Sequence, residues 1–206
     1  MVAHKDITDP NIHEVKGAAT ATAGQVLIAN GSGSASFQTA PYSTDIVGWY
    51  NYADTATAGT PIALTLASTF HDLTNNKLGA KTSNAYGVPT IVDVWNSATN
   101  RFDFSLLPLG SLVTVRVDIT LTTGSTNNSA EIDLELGIGS GASFFLPVLS
   151  PTYVKAAGAN RFVAERTFYI GDNNIKNYPA RVCAKNDTVG STVIVNDFFA
   201  VVTKNG

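Results

Sequence analysis

From Trp49 onward, nearly every apolar run along the chain has a period of two. Val113, Val115, Val117, Ile119 and Leu121 alternate with Thr114, Arg116, Asp118 and Thr120, and Ile132, Leu134, Leu136 and Ile138 alternate with Glu131, Asp133 and Glu135. A period of two places each apolar set on one face of a half-buried strand. The polar stretch 123–129 between the two runs predicts a turn joining them as an antiparallel pair. Further strands are expected around 48–52, 61–66, 90–95, 101–105, 144–149, 161–170, 180–185 and 191–203, separated by Gly, Asn, Pro and Ser clusters. Apolar spacing of three and four is weak throughout, and only residues 65–73 could hold a turn of helix. Many antiparallel strands without crossover helices predict an all-β fold, an antiparallel β-sandwich of the jelly-roll kind over residues 41–206.

Before Pro41 the pattern is different. Of the first 40 residues, 19 are Gly, Ala, Ser or Thr, and the only aromatic is Phe37. Such a segment buries too little apolar surface for a core of its own. It reads as an extended N-terminal arm over residues 1–40. Within it, Gln25-Val26-Leu27-Ile28-Ala29, then Asn30-Gly31, then a run ending at Phe37 predict a small hairpin with a tight Asn-Gly turn. An isolated hairpin is marginal in water, so the arm should gain order against a partner.

The last strand changes the picture of the sandwich. Val193-Ile194-Val195 and Phe198-Phe199-Ala200-Val201-Val202 are apolar at consecutive positions, hence on both faces. A strand buried on both sides lies inside a sandwich or against another subunit. Ile194, Phe198, Phe199 and Val202 are therefore candidate oligomer-interface residues. Charged residues are 14% of the chain, against roughly 25% in ordinary soluble domains. A surface this poor in charge loses little on burial against a neighbour.

The net charge is −3, of which −1 falls in residues 1–40 (two Lys against two Asp and one Glu) and −2 in the remainder. No basic face is implied, so a nucleic-acid partner is not expected. No basic-then-apolar leader opens the sequence and no apolar run approaches a membrane span, so neither export by a leader nor membrane insertion is expected. The single cysteine, Cys183, excludes an internal disulfide and sits in a strand-like context, Arg181-Val182-Cys183-Ala184-Lys185, as a buried thiol.

Candidate chemistry is sparse. Two of the three histidines, His4 and His13, lie in the arm, and the third is His71. No zinc, phosphate-loop or nucleophile-elbow motif is present. Gly137-Ile138-Gly139-Ser140-Gly141 follows a strand without opening a helix and reads as a turn, as does Asp172-Asn173-Asn174. Glu131, Asp133 and Glu135 share one strand face at spacings of about 7 Å. They are expected to form a solvated row opposite Arg116 rather than a calcium site. Trp49-Tyr50-Asn51-Tyr52 and Trp95 offer aromatic surface, Trp49 and Asn51 on one face of their strand, Tyr50 and Tyr52 on the other; packing is their expected use. No catalytic residue, cofactor or metal site is expected.

One stretch carries a resemblance. Asp6-Ile7-Thr8-Asp9, then Ile12-His13-Glu14-Val15-Lys16-Gly17-Ala18, then residues 23–34 with Asn30-Gly31-Ser32-Gly33-Ser34, and Phe37, resemble the opening of tailed-bacteriophage virion proteins of the head-fibre and capsid-decoration type. The shared pattern spans about a sixth of the chain, residues 6–37. The resemblance implies that the arm anchors the protein to a major capsid protein or another virion protein, through Ile7, Ile12, His13, Glu14, Lys16, Val26, Ile28 and Phe37. It further implies that the second part is a trimeric β-domain similar to jelly rolls of the tumour-necrosis-factor type, displayed on the capsid surface. The expected function is thus a non-enzymatic virion structural protein. The alternative is a tail-fibre receptor-binding tip that recognises a host surface glycan through Trp49, Tyr52 or Trp95.

Overall fold

The computed structural model describes residues 20–29, 32, 35–39, 47–79, 83–84 and 93–204. The chain divides into a unit ending at Ser43 and a unit beginning at Thr44.

In the first unit, β1 (Gln25–Ala29) pairs antiparallel with β2 (Ala35–Thr39). The hairpin read from the sequence is present, and its last pair is Ala29 with Ala35. The Asn30-Gly31 turn itself lies outside the described residues.

The second unit is an antiparallel two-sheet architecture. Its elements are β3 (Val47–Ala53), β4 (Ile62–Leu64), β5 (His71–Asp72), β6 (Ser83–Asn84), β7 (Trp95–Asn96), β8 (Arg101–Phe102), β9 (Leu112–Thr123), β10 (Asn128–Leu136), β11 (Phe144–Val154), β12 (Gly158–Tyr169), α1 (Asn173–Asn177), β13 (Arg181–Asn186) and β14 (Ser191–Thr203). One sheet has the order β12-β9-β14-β3-β6 with β4 also paired to β14; the other runs β11-β10-β13-β5. A two-stranded β7-β8 ribbon stands apart from both.

The alternation set by the sequence decides which side chains meet. Val113, Val115, Val117, Ile119 and Leu121 of β9, with Ile132, Leu134 and Leu136 of β10, are buried in a common core. At one end Trp95, Phe102 and Phe198 interlock, ring centroids 4.8–5.0 Å from the indole. The polar atoms there are matched: Trp95 Nε1 donates to the Asn75 carbonyl at 3.0 Å, and the Val94 amide donates to the Tyr52 hydroxyl.

Three expectations need correction. First, β9 and β10 are not a pair. β9 is flanked by β12 and β14, and β10 by β11 and β13, so neither has a free edge for the other. The turn between them carries the chain from sheet to sheet, with Asn127 in the left-handed region at φ 63°. Second, residues 65–73 hold no helix. Ser68 has φ 56°, its amide donates to the Asn186 carbonyl, and the segment ends in β5. Third, the short helix is elsewhere, at α1, where the Asp172 side chain accepts from the Asn174 and Ile175 amides as an N-cap. Of the strand expected around 90–95, residues 90–92 lie outside the described set and β7 begins at Trp95.

β14 explains its own double-sided apolarity. Its register against β9 shifts between Val195 and Asp197, a bulge at Asn196. Val193 and Val195 point inward before the bulge; Phe198, Ala200 and Val202 point inward after it. The bulge falls where β4, paired to residues 191–193, gives way to β3, paired to residues 197–203. Thr57 fills that gap. Its buried hydroxyl accepts from the Val195 amide at 2.9 Å and donates to the Val195 carbonyl at 3.1 Å.

Candidate functional site: interaction surfaces of the hairpin and the sandwich

On the hairpin, Val26 faces Gln38 and Ile28 faces Ser36 across the strands, while Leu27 faces Phe37. Period two therefore puts Val26 and Ile28 on one side and Leu27 and Phe37 on the other. Val26 and Leu27 are 43% and 44% exposed. Leu27 was absent from the candidate anchors. The signal was its place opposite Phe37, which needs the register and not only the alternation. Ile7, Ile12, His13, Glu14 and Lys16 lie outside the described residues.

The outer face of the six-stranded sheet is an ordered grid. One cross-strand row runs Asn51, Phe199, Arg116, Glu165, and the next runs Ala53, Asp197, Asp118, Val163. Trp49 packs on Phe199 at 5.4 Å, and the Arg116 guanidinium lies 4.7 Å above the same ring while bonding Asp197 at 3.1 Å. Asp118 is 4% exposed. Burial alone would raise its pKa. Hydrogen bonds from Arg161 and Asn196, with the Arg161 and Arg116 charges, outweigh that and hold the carboxyl below the usual carboxylate range. The Asn51 Oδ1 and Arg116 Nε atoms are buried without a partner in the protomer.

Of the candidate interface residues, Ile194 and Phe199 are half-buried on this outer face. Phe198 and Val202 are core residues, turned inward by the bulge at Asn196. Those two cannot touch a neighbouring subunit in the folded domain.

The open side of the sandwich lies between the edge strands β11 and β12. A cavity of about 430 Å³ there is lined by Leu136, Phe144, Leu146, Phe168, Tyr169 and Ile175, among others. Tyr169 is 62% exposed. Pro147 and Pro151 on β11 lack amide protons, which discourages strand addition at that edge.

The outer face of the four-stranded sheet differs from its reading as a solvated row facing Arg116. Arg116 belongs to the other sheet. Glu131 is bonded by Lys185 at 2.9 Å, and Glu135 by Arg181 at 2.6 Å. Arg181 also reaches Asp72, which Arg101 holds at 2.8 Å. Asp133 lies between them, buried, with Oδ1 unpartnered. Burial first and the neighbouring Glu131 second push its carboxyl up to about 6, against the pull of Lys185. Cys183, its cross-strand partner, is a buried thiol pushed by burial to about 12, as the sequence reading expected of an unreactive cysteine.

Of the aromatic groups considered for glycan stacking, Tyr52 and Trp95 are core residues and unavailable to a ligand; Trp49 and Tyr50 are half-buried. Gly137, Gly139 and Gly141 all have positive φ, which fits a tight turn between strands. Among the described residues no cluster of three His, Cys, Asp or Glu side chains could hold a metal ion, and no helix is long and apolar enough to cross a membrane.

No family model matches the chain, and no curated protein matches it. Solved structures resemble its fold at low similarity. A xylan-binding domain, CBM22-1 of Paenibacillus barcinonensis Xyn10C, aligns with TM-score 0.36 and 10% identity over 52% of this chain and 65% of that one. A structure of the infectious bursal disease virus Gx strain aligns with TM-score 0.43 and 11% identity over 87% of this chain and 38% of that one. The Eiger TNF of S. frugiperda aligns with TM-score 0.42 and 10% identity over 78% and 94%. The chain thus spans less than two thirds of the first two.

Proposed function

We propose that the protein is a non-enzymatic structural component of a bacteriophage virion, of the capsid-decoration or head-fibre kind. Residues 1–40 attach it to a shell protein, and residues 41–206 form a β-domain that self-associates as a trimer at the capsid surface. The observation that carries this reading is the hairpin. The segment whose sequence resembles virion-protein openings folds as two short strands with apolar side chains on both sides. Such an element suits insertion against a protein surface or strand addition to an exposed edge. Three arms on one trimer bind together, so each contact can be weak.

Self-association is supported by two unlike surfaces, the grid of aromatic and paired charged side chains around Phe199 and the apolar groove beside Tyr169. Unlike surfaces on one chain pair head-to-tail, and a closing rotation makes a ring. The unpartnered Asn51 and Arg116 atoms on the grid gain partners when it is covered.

Two measurements test the reading. Light scattering should give a mass three times 21.6 kDa; a stable monomer at micromolar concentration contradicts self-association. Amine crosslinking of particles carrying the protein should join Lys5 and Lys16 to a shell protein. Crosslinks arising only from lysines beyond residue 41 would contradict attachment through the arm.

A further inference from the structure

Asp133 and Cys183 lie on the outer face of the four-stranded sheet, yet both are buried. Something crosses that face. β5 and β11 are the opposite edges of the sheet, with β13 and β10 between them. Phe70, the residue before β5, stacks on Phe145 of β11 with ring centroids 4.7 Å apart and planes 14° from parallel. Rings from opposite edges can meet only above the two central strands. The register fixes where. Phe145 stands opposite Glu135, and Phe70 precedes His71, the partner of Ala184. The line between them passes over the directly paired Asp133 and Cys183.

The stack is the end of a strap, residues 65–70, running from β4 to β5. Its ties are few: the Ser68 amide to the Asn186 carbonyl at 2.7 Å, the Leu66 amide to His71 Nε2 at 3.2 Å, and Lys185 Nζ, 4.4 Å from the Phe70 ring. Residues 65–69 are all exposed. Segments with few buried contacts open most readily.

We propose that the Phe70–Phe145 strap is a pH-gated cover, closed when Asp133 is protonated and opened when it ionises. Beneath the strap a neutral carboxyl loses little by leaving Oδ1 unpartnered. An ionised one has an unsolvated negative oxygen, and water reaches it when the strap lifts. The charges around it do not resolve this. On its own strand Glu131 and Glu135 are acidic. From β13, Lys185 is engaged by Glu131 and Arg181 by Glu135 and Asp72; from β5, Asp72 adds another carboxylate and His71 is bonded to Leu66. Phe145 and Pro147 of β11 bring no charge. The raised pKa of Asp133 agrees with this geometry.

Cys183 reports on the cover, because its thiol reacts only when exposed. The full chain is labelled with 4,4′-dithiodipyridine from pH 4 to pH 7, as wild type and as Asp133→Asn. Both proteins carry the same thiol, and an ionised Asp133 beside it only raises the thiol pKa and slows labelling, so a wild-type to variant rate ratio that climbs with pH measures opening. With a carboxyl that titrates near 4 when exposed and near 6 when covered, the ratio should be close to one at pH 4, rise about tenfold per pH unit, and level off roughly a hundredfold higher above pH 6. Phe70→Ala should label fast already at pH 4. A flat ratio overturns the proposal, as does Phe70→Ala labelling no faster than wild type at pH 4. Labelling that follows global unfolding, read by tryptophan fluorescence at the same pH values, also overturns it, because the opening is then not local.

Discussion

Asp118 and Asp133 occupy matching places in the two sheets. Each is on the outer face of a strand flanked on both sides, and they are 4% and 2% exposed. Asp118 receives Arg161 Nε at 2.9 Å and Asn196 Nδ2 at 2.7 Å, and its pKa is lowered. Asp133 has an unpartnered oxygen beside Glu131, and its pKa is raised to about 6. Burial is the same; the donors differ. A buried carboxylate with two donors fastens a sheet at neutral pH, whereas one without them loosens it.

The sharpest way to break the comparison is to place an aspartate where no donor can reach. Val117 is next to Asp118 and points into the core. Val117→Asp should cost about 4 kcal/mol, read as loss of the cooperative melt or a fall in Tm of roughly 10–15 °C. A loss no larger than that of an outer-face substitution would mean that β9 is not half-buried.

Asp133→Asn should do the opposite of an ordinary core substitution and stabilise the domain at neutral pH. The folded pKa of Asp133 lies above its unfolded value, so the folded state binds more protons there and wild-type stability falls as pH rises from about 4 through 6. The asparagine variant lacks that fall. Its advantage over wild type should be near zero at pH 4 and on the order of 2–3 kcal/mol at pH 7. Urea melts at the two pH values decide it, and an advantage independent of pH would be contrary to the account.

Asp118→Ala should destabilise at neutral pH by about 1–2 kcal/mol, because Asn196 and Arg161 lose their acceptor while Arg161 remains open to water. For this group the folded pKa is depressed. Its contribution is present above the ordinary carboxylate pKa and vanishes as pH falls through the lower folded value. The difference between variant and wild type should therefore shrink in strong acid, and one that grew there would contradict the partner assignment.

The smallest effect is expected at Thr114, which lies outward on β9 and shares a 2.8 Å hydroxyl bond with Thr167. Thr114→Asp should shift stability by about half a kcal/mol. A larger loss that depends on protein concentration would place Thr114 within the subunit contact.

Strand positions were legible because period two is local. Sheet membership was not: Val113 to Leu121 and Ile132 to Leu136 look alike whether paired or facing, and only the flanking strands decide. The same limit hid the partners of the acidic row. Lys185 lies 54 positions from Glu131, and no pattern on β10 names it. The apolarity of β14 was legible and its cause was not, since a bulge at Asn196 held by Thr57 is a contact across 138 positions. Hence Phe198 and Val202 read as surface candidates and are core residues. The hairpin strands were legible, but Leu27 became a partner of Phe37 only through the register.

The most direct test of the central claim is co-sedimentation with purified particles that lack the protein, using the full chain and a version without residues 1–40. The account predicts that both are folded and oligomeric, that the full chain pellets with the particles, and that the shortened chain stays in the supernatant. A shortened chain that still pellets at the same stoichiometry would contradict attachment through the arm.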